Sequence, residues 1–158
     1  MAENQKTNDA GGAQLASGSA PKKKKKTLIV IGKRKKAVAR AFVKEGKGVI
    51  KINSTQIDLI QPNYVQLRVK EPVIIAGELA KRVDISVKVN GGGVWGQADA
   101  SRTAIANALV QWTKDAKLKD MYTDYDRSLL VSDSRRTEPH KPSRSTAGPR
   151  RSKQQSKR

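Results

Sequence analysis

Cysteine, aromatic residues and long apolar runs are absent or scarce in this chain of 158 residues. Because there is no cysteine, a disulfide framework, a thiol nucleophile and a cysteine-based metal site are excluded. Only one Phe, two Trp and three Tyr are present, which argues against a platform of several exposed rings for stacking bases. Apolar runs such as Leu28–Ile31 are far shorter than the ~20 residues of a membrane span. The first residues also lack the apolar segment of a secretory signal, so none is expected.

Positive charge is abundant and unevenly distributed. The chain has 33 Lys and Arg against 14 Asp and Glu, for a formal net charge of +19. Residues 52–131 carry a net charge of only +1, whereas residues 1–26, 27–51 and 132–158 carry +4, +7 and +7. Charge of one sign concentrated in this way repels itself, and a polyanionic partner explains it best.

The composition divides the chain into three parts. Residues 1–26 are rich in Ala, Gly and Ser and end in the Lys22–Lys26 run; we expect a disordered extension because little apolar area can be buried there. That run is a solvated tail, a localisation-like signal or a nonspecific RNA arm. Residues 27–131 are predicted to form the globular domain. Residues 132–158 are predicted to form an extended basic tail, which could reach on the order of 80 Å when stretched.

Hydrophobic periodicity within the domain predicts an α+β fold with a mixed four-stranded sheet. The strands are expected at 28–31, 37–43, 49–52 and 84–90, with the second and third forming a hairpin. Helices are expected at about 63–70, 72–82, 97–113 and 114–125. The second helix is expected to bury Val73, Ile74, Ile75 and Leu79. In the third, a buried stripe contains Ala98, Ile105, Leu109 and Trp112, and Arg102 lies off it.

The glycine cluster Gly91-Gly92-Gly93-Val94-Trp95-Gly96 satisfies the G-x-G-x-x-G pattern of dinucleotide-binding folds. The preceding strand is polar on one face, and no later strand is available for a ribose-binding acid, so nucleotide binding is disfavoured. Two other interpretations remain open. The glycines could bring the N-terminus of a helix close to an RNA phosphate, or they could simply form a tight turn that requires positive φ.

No constellation of catalytic residues is evident. His140 is the only histidine and lies in the basic tail, where no scaffold orients it. Asp126 and Asp133 are expected to pair with their neighbours Arg127 and Arg135 rather than to act as paired catalytic carboxylates. The sequence therefore predicts no enzyme, no cofactor and no metal site. The many cations and few rings favour recognition of structured RNA through its backbone.

Six ordered motifs resemble those of one known family. They comprise residues 32–40 (GKRKKAVAR), 48–53 (GVIKIN), 71–85 (EP to VDI), 91–106 (GGGVWGQADASRTAIA), 125–138 (YDR and DSRRTE) and 156–158 (SKR). This pattern is similar to that of the universal small-subunit ribosomal protein S-nine family, of the archaeal and eukaryotic type. The resemblance covers residues 28–158. Lys36, Ser134 and Lys157 depart from the residues that are usual in the family.

The resemblance implies a domain like the second domain of ribosomal protein S-five, located in the head of the cytoplasmic small ribosomal subunit. Its implied partners are small-subunit rRNA, the P-site tRNA and neighbouring head proteins, with no membrane and no small-molecule substrate. The residues expected to bind rRNA are Lys33, Arg34, Lys35, Lys36, Arg40, Gly91, Gly92, Gly93, Gly96, Arg102, Arg127, Arg135, Arg136, Lys141, Arg144, Arg150, Arg151 and Lys153. Lys157 and Arg158, at the tip of the tail, are expected to contact the anticodon stem-loop of the P-site tRNA. The charge distribution alone would also permit a nonspecific nucleic-acid-packaging protein.

Overall fold

Five strands form one mixed sheet in the computed structural model, which describes residues 27–136 and Pro139. The predicted extension 1–26, and the predicted contacts from Lys141 to Arg158, lie outside the described residues. The strands are β1 (Leu28–Arg34), β2 (Ala37–Glu45), β3 (Ile50–Ile52), β4 (Thr55–Gln56) and β5 (Val83–Asn90). The helices are α1 (Asn63–Ala76), α2 (Val94–Thr113) and α3 (Ala116–Tyr125). Short 3-10 segments lie at Ile57–Leu59, Gly77–Arg82 and Arg127–Leu129. Among the described residues, no helix combines the length and apolar character needed to cross a bilayer.

The α+β class and the mixed sheet are confirmed, but the sheet has five strands rather than four. Its order is β1-β2-β5-β3-β4, and only the β3–β5 pair is parallel. The additional strand is the two-residue β4, which pairs with β3. The sequence predicts a short extended segment at 55–59, but two residues carry no alternation that would place them in the sheet.

The predicted hairpin of the second and third strands is wrong, because β5 lies between them. β5 pairs with β2 on one edge and with β3 on the other, and its inward-facing Val83, Ile85, Val87 and Val89 are all at most 2% exposed. The Asp84 carboxylate holds the connection between β2 and β3 by accepting hydrogen bonds from the backbone N–H of Lys47 and of Val49, at 2.8 and 2.9 Å.

Those two backbone hydrogen bonds, from Val49 and Lys47, lower the pKa of Asp84 from its ordinary value of 3.8. A carboxyl with a depressed folded-state pKa stabilises the fold above its unfolded-state pKa and loses that contribution as the pH falls through the folded-state value. We therefore expect Asp84→Asn to be less stable than wild type at neutral pH, and the difference to shrink on acidification below 3.8. Urea unfolding of both proteins between about pH 6 and about pH 2 measures it. A difference that stayed constant over that range would contradict the assigned hydrogen bonds.

Helix α2 lies very close to the inner face of the sheet because both surfaces consist of small residues. The inward positions of β2 include Ala37, Ala39 and Ala41, all fully buried. A Cβ on Gly32 would lie 2.2 Å from the backbone oxygen of Ala100 in α2, so only glycine permits this approach. The close contact places the N-terminal turn of α2 beside the β1–β2 turn.

Three expectations about the helices need correction. The segments predicted as helices 63–70 and 72–82 instead form one α-helix, Asn63–Ala76, that continues through Pro72, followed by the 3-10 segment Gly77–Arg82. Pro72 is buried, and its carbonyl accepts a hydrogen bond from the Tyr122 hydroxyl at 2.7 Å. Ile74 is 68% exposed rather than buried. Arg102, expected to lie off the buried stripe of α2, is 2% exposed.

Candidate nucleic-acid interface

The β1–β2 turn presents a compact group of cations. Lys35 and Lys36 form the two-residue turn itself, and Lys35 has a φ of 52°. Lys33 is the last outward-facing residue of β1, so the predicted basic turn is partly strand. All three lysine side chains are exposed, and within residues 27–136 none of them pairs with a carboxylate. Their charge is therefore available to a partner.

The open face of the sheet extends this positive surface. Side chains alternate between the two faces of a strand, and the outward positions hold Arg40 and Lys44 in β2, Lys51 in β3 and Lys88 in β5. Arg40 lies directly opposite Lys88 in the β2–β5 register, and Lys88 Nζ lies 5.9 Å from the centre of the Phe42 ring. We call the exposed strand cations Lys33, Arg40, Lys44, Lys51 and Lys88 the basic face.

Three of these cations were not among the residues expected from the sequence. Lys44, Lys51 and Lys88 are separated in sequence, and only the strand order β2-β5-β3 brings them together. The alternation of β5, with Ser86 and Lys88 between the buried Ile85, Val87 and Val89, was the available signal that Lys88 points outward. Like-charged side chains on adjacent strands repel one another, so a polyanion is the partner that would stabilise this arrangement.

Arg102 does not contribute to this surface. It is 2% exposed, and its guanidinium lies between two carboxylates, with Nε 2.5 Å from Glu71 Oε2 and Nη2 3.0 Å from Asp126 Oδ2. Ser128 donates its backbone N–H and its hydroxyl to the Asp126 carboxylate, both at 2.7 Å. Burial would raise the pKa of Asp126, but the hydrogen bonds from Ser128 and the Arg102 guanidinium outweigh it and lower that pKa. The expected pairing of Asp126 with Arg127 is therefore wrong.

Arg34 also uses its charge inside the domain. Its Nε lies 3.5 Å from Asp99 Oδ2, and it forms a second ion pair with Asp133. Asp99 in turn lies 3.3 Å from Arg68 Nε, and Arg68 Nη1 lies 3.0 Å from Glu71 Oε1. Burial would lower the pKa of Arg68, but the adjacent Glu71 and Asp99 carboxylates raise it. Alternating charges thus connect β1, α1 and α2 along a cleft of about 670 Å³.

The first residues of the predicted tail are attached to the β1–β2 turn. Asp133 accepts hydrogen bonds from the Arg135 backbone N–H at 2.8 Å and from Arg135 Nε at 2.9 Å, as expected from their spacing. Arg136 Nη1 donates to the backbone oxygen of Lys35 at 2.8 Å. Because Asp133 also pairs with Arg34, the basic segment begins beside the lysines of the turn.

The glycine cluster forms the tight connection that one interpretation of the sequence required. Gly91 and Gly92 have φ values of 78° and 69°. A Cβ on Gly91 would lie 2.4 Å from the backbone oxygen of Lys36, so the cluster passes directly against the β1–β2 turn. The strand before it, β5, pairs antiparallel with β2 and parallel with β3, whereas the sheet of a dinucleotide-binding fold is mostly parallel. The cluster therefore shapes the turn region.

Comparison with known proteins agrees with the expected family. Residues 32–158 match the family model described as ribosomal protein S9/S16. The small ribosomal subunit proteins uS9 of Methanococcus maripaludis strain C7 and of Methanococcus vannielii are each 50% identical over 126 residues, covering 80% of this chain and 94% of the relative. The uS9 protein of Methanothrix thermoacetophila is 53% identical over 110 residues, covering 70% of this chain and 83% of the relative. This chain belongs to the ribosomal protein S9/S16 family.

Proposed function

We propose that this chain is a structural component of the head of the small ribosomal subunit and binds rRNA. Its family consists of ribosomal proteins rather than enzymes, and its location is accordingly the cytoplasmic ribosome. The proposed rRNA contacts are made by the basic face, by Lys35 and Lys36 of the turn, and by Arg127, Arg135 and Arg136, which are exposed. We assign Arg34 and Arg102 to the interior ion pairs instead. The glycines Gly91, Gly92, Gly93 and Gly96 shape the turn region, and we keep as a proposal that they bring the N-terminus of α2 close to an rRNA phosphate.

One observation carries this proposal: the exposed cations without carboxylate partners adjoin the point where the basic tail begins. Residues 132–158 add a net charge of +7, and Arg136 attaches their first part to the β1–β2 turn. A single RNA surface could therefore contact the basic face, the turn and the base of the tail together. The proposed rRNA contacts of Lys141, Arg144, Arg150, Arg151 and Lys153 continue that path along the tail.

We further propose that Lys157 and Arg158 contact the anticodon stem-loop of the P-site tRNA. The basis is the length of the tail, since residues 134–158 alone can span on the order of 80 Å, and the two cations at its tip. A tail of this length reaches phosphates well away from the domain that carries it. The neighbouring head proteins proposed as partners would pack around the domain, away from the tip.

Replacing Lys157 and Arg158 with glutamine is expected to leave assembly intact and weaken P-site tRNA binding. The loss should be about 1–3 kcal/mol, as for one or two charge-assisted hydrogen bonds. Gradient sedimentation measures incorporation of the tagged chain into small subunits, and filter binding at one fixed salt concentration measures tRNA affinity. Replacing the neutral neighbours Gln154 and Gln155 with alanine provides the control.

Each result has a distinct meaning. Unchanged tRNA affinity with full incorporation would contradict the tip contact, and failed incorporation of the glutamine variant would make the tip an assembly element. A wild-type chain that sedimented with DNA rather than with small subunits would instead indicate a packaging protein and contradict the proposed function.

A further inference from the structure

A groove beside the first turn of α2 differs from the rest of the surface in having no charge. It measures about 280 Å³ and is lined by thirteen residues of the described chain, none of them charged. Val65 and Val69 of α1 and Ala98 of α2 form its buried floor, and Leu59 and Val94 stand at its rim. In a chain with a net charge of +19, an uncharged concave surface points to a partner other than RNA. We call it the uncharged groove.

Large apolar side chains around the uncharged groove are exposed to water. Leu59 is 71% exposed and Val94 is 59% exposed. Next to Val94, the Trp95 ring stacks on the Tyr64 ring with a centroid distance of 5.0 Å and an interplanar angle of 16°, and both residues remain more than half exposed. Exposed apolar side chains grouped around a groove are typical of a protein–protein interface.

A polar atom at the floor of the groove also lacks a partner. Ser101 lines the groove and is 1% exposed, and within the described structure its hydroxyl makes no hydrogen bond. A buried hydroxyl is unfavourable unless it is paired. An occupant with an apolar side chain would pack against the apolar lining residues, and a neighbouring polar group of the same occupant would form a hydrogen bond with the Ser101 hydroxyl.

The two cations of α1 that flank the groove residue Val69 are paired within the domain. Lys70 Nζ lies 2.6 Å from Asp58 Oδ1, and Arg68 pairs with Glu71 and Asp99. An RNA strand needs cations at its phosphates, and none of the described residues that line the groove is a cation. Complementarity therefore favours an uncharged, apolar segment of a protein.

We propose that the uncharged groove receives an apolar side chain from a neighbouring protein of the small subunit, with a polar group of that protein bonded to Ser101. This inference rests on the proposed function, because it requires the assembled subunit. It assigns the protein contact to the α1–α2 side of the domain, whereas the proposed rRNA contact lies on the basic face and the turn.

A photo-reactive benzoylphenylalanine in place of Leu59 tests the proposal in the full chain. The labelled chain is assembled into small subunits, purified by gradient sedimentation and irradiated, and the adduct is identified by mass spectrometry. We expect an adduct with an apolar segment of a second small-subunit protein. An adduct on rRNA, an adduct on another part of this chain, or no adduct despite full incorporation would each overturn the proposal. The gradient step tests the proposed function separately. If the wild-type chain did not sediment with small subunits, the proposed ribosomal function would be wrong, and the groove proposal that rests on it would fail as well.

A pair of lysine substitutions sharpens the test. Combining the label with Val94→Lys places a charge at the rim and should lower the adduct yield about tenfold, because an apolar partner disfavours an unpaired cation. The matched control is Ile74→Lys, at an α1 position that is 68% exposed and does not line the groove; the adduct yield should stay within about twofold of the unsubstituted value. A higher yield with Val94→Lys would indicate an RNA occupant and overturn the proposal.

Discussion

Replacing Arg102 with methionine is expected to lower the free energy of unfolding by about 3 kcal/mol. Removing one partner of a buried ion pair leaves uncompensated charge and costs about 3–5 kcal/mol in general. Here Arg102 is the cation for two carboxylates, Glu71 and Asp126. The Glu71 and Asp126 side chains are 20% and 33% exposed, so water solvates the two carboxylates in part when the guanidinium is removed. The loss of stability should therefore lie at the lower end of that range of about 3–5 kcal/mol. Urea unfolding of the full chain followed by circular dichroism measures it.

The matched control for Arg102→Met is Arg40→Met, the same substitution at an exposed position of β2. It should change the free energy of unfolding by no more than about 0.5 kcal/mol. Arg102→Lys should be intermediate, since lysine keeps the charge but loses the planar fork that reaches two carboxylates. If Arg102→Met were as stable as Arg40→Met, the interior role of Arg102 would be wrong.

Neutralising Lys35, Lys36 and Arg40 together with glutamine is expected to weaken binding to small-subunit rRNA on the order of a hundredfold at low salt. Each phosphate contact contributes about 0.7–0.9 to the slope of log affinity against log salt concentration, so the slope should fall by roughly 2–3. Filter binding of the full chain to transcribed rRNA at several salt concentrations measures both quantities. The free energy of unfolding should be nearly unchanged, because none of the three side chains has an ion-pair partner within residues 27–136.

The control for this triple variant replaces three exposed lysines elsewhere, Lys114, Lys117 and Lys119, which lie at and after the end of α2. This variant has the same net charge, so any effect of total charge alone would appear equally in both. Equal slopes for the two variants would show that the turn and Arg40 are merely a solvated surface.

The parts of the fold that depend on local pattern could be predicted from the sequence. The alternation of β5 and the spacing of α2 identified both elements, and the ion pair of Asp133 with Arg135 joins residues two positions apart. The parallel pairing of β3 with β5 could not be predicted, because it joins Ile50 to Ile85 through a connection that leaves no local signal.

The same limit explains the error at Arg102. Helical periodicity treats an arginine as a polar residue and therefore places it off the buried stripe. Its partners Glu71 and Asp126 are distant in sequence, and only the packing of α1 and the Arg127–Leu129 segment against α2 brings their carboxylates to it. The basic face could likewise not be predicted without the strand order, because Lys44, Lys51 and Lys88 lie on three different strands.

We propose that the basic face and the β1–β2 turn are the parts of the domain that contact rRNA, whereas Arg34 and Arg102 face inward. A density map of the small ribosomal subunit containing this chain tests it most directly. We expect Lys33, Lys36, Arg40 and Lys88 to lie within hydrogen-bonding distance of rRNA phosphates, with Arg102 still between Glu71 and Asp126. A map in which the basic face is turned to solvent, with the rRNA against another side of the domain, would contradict the account.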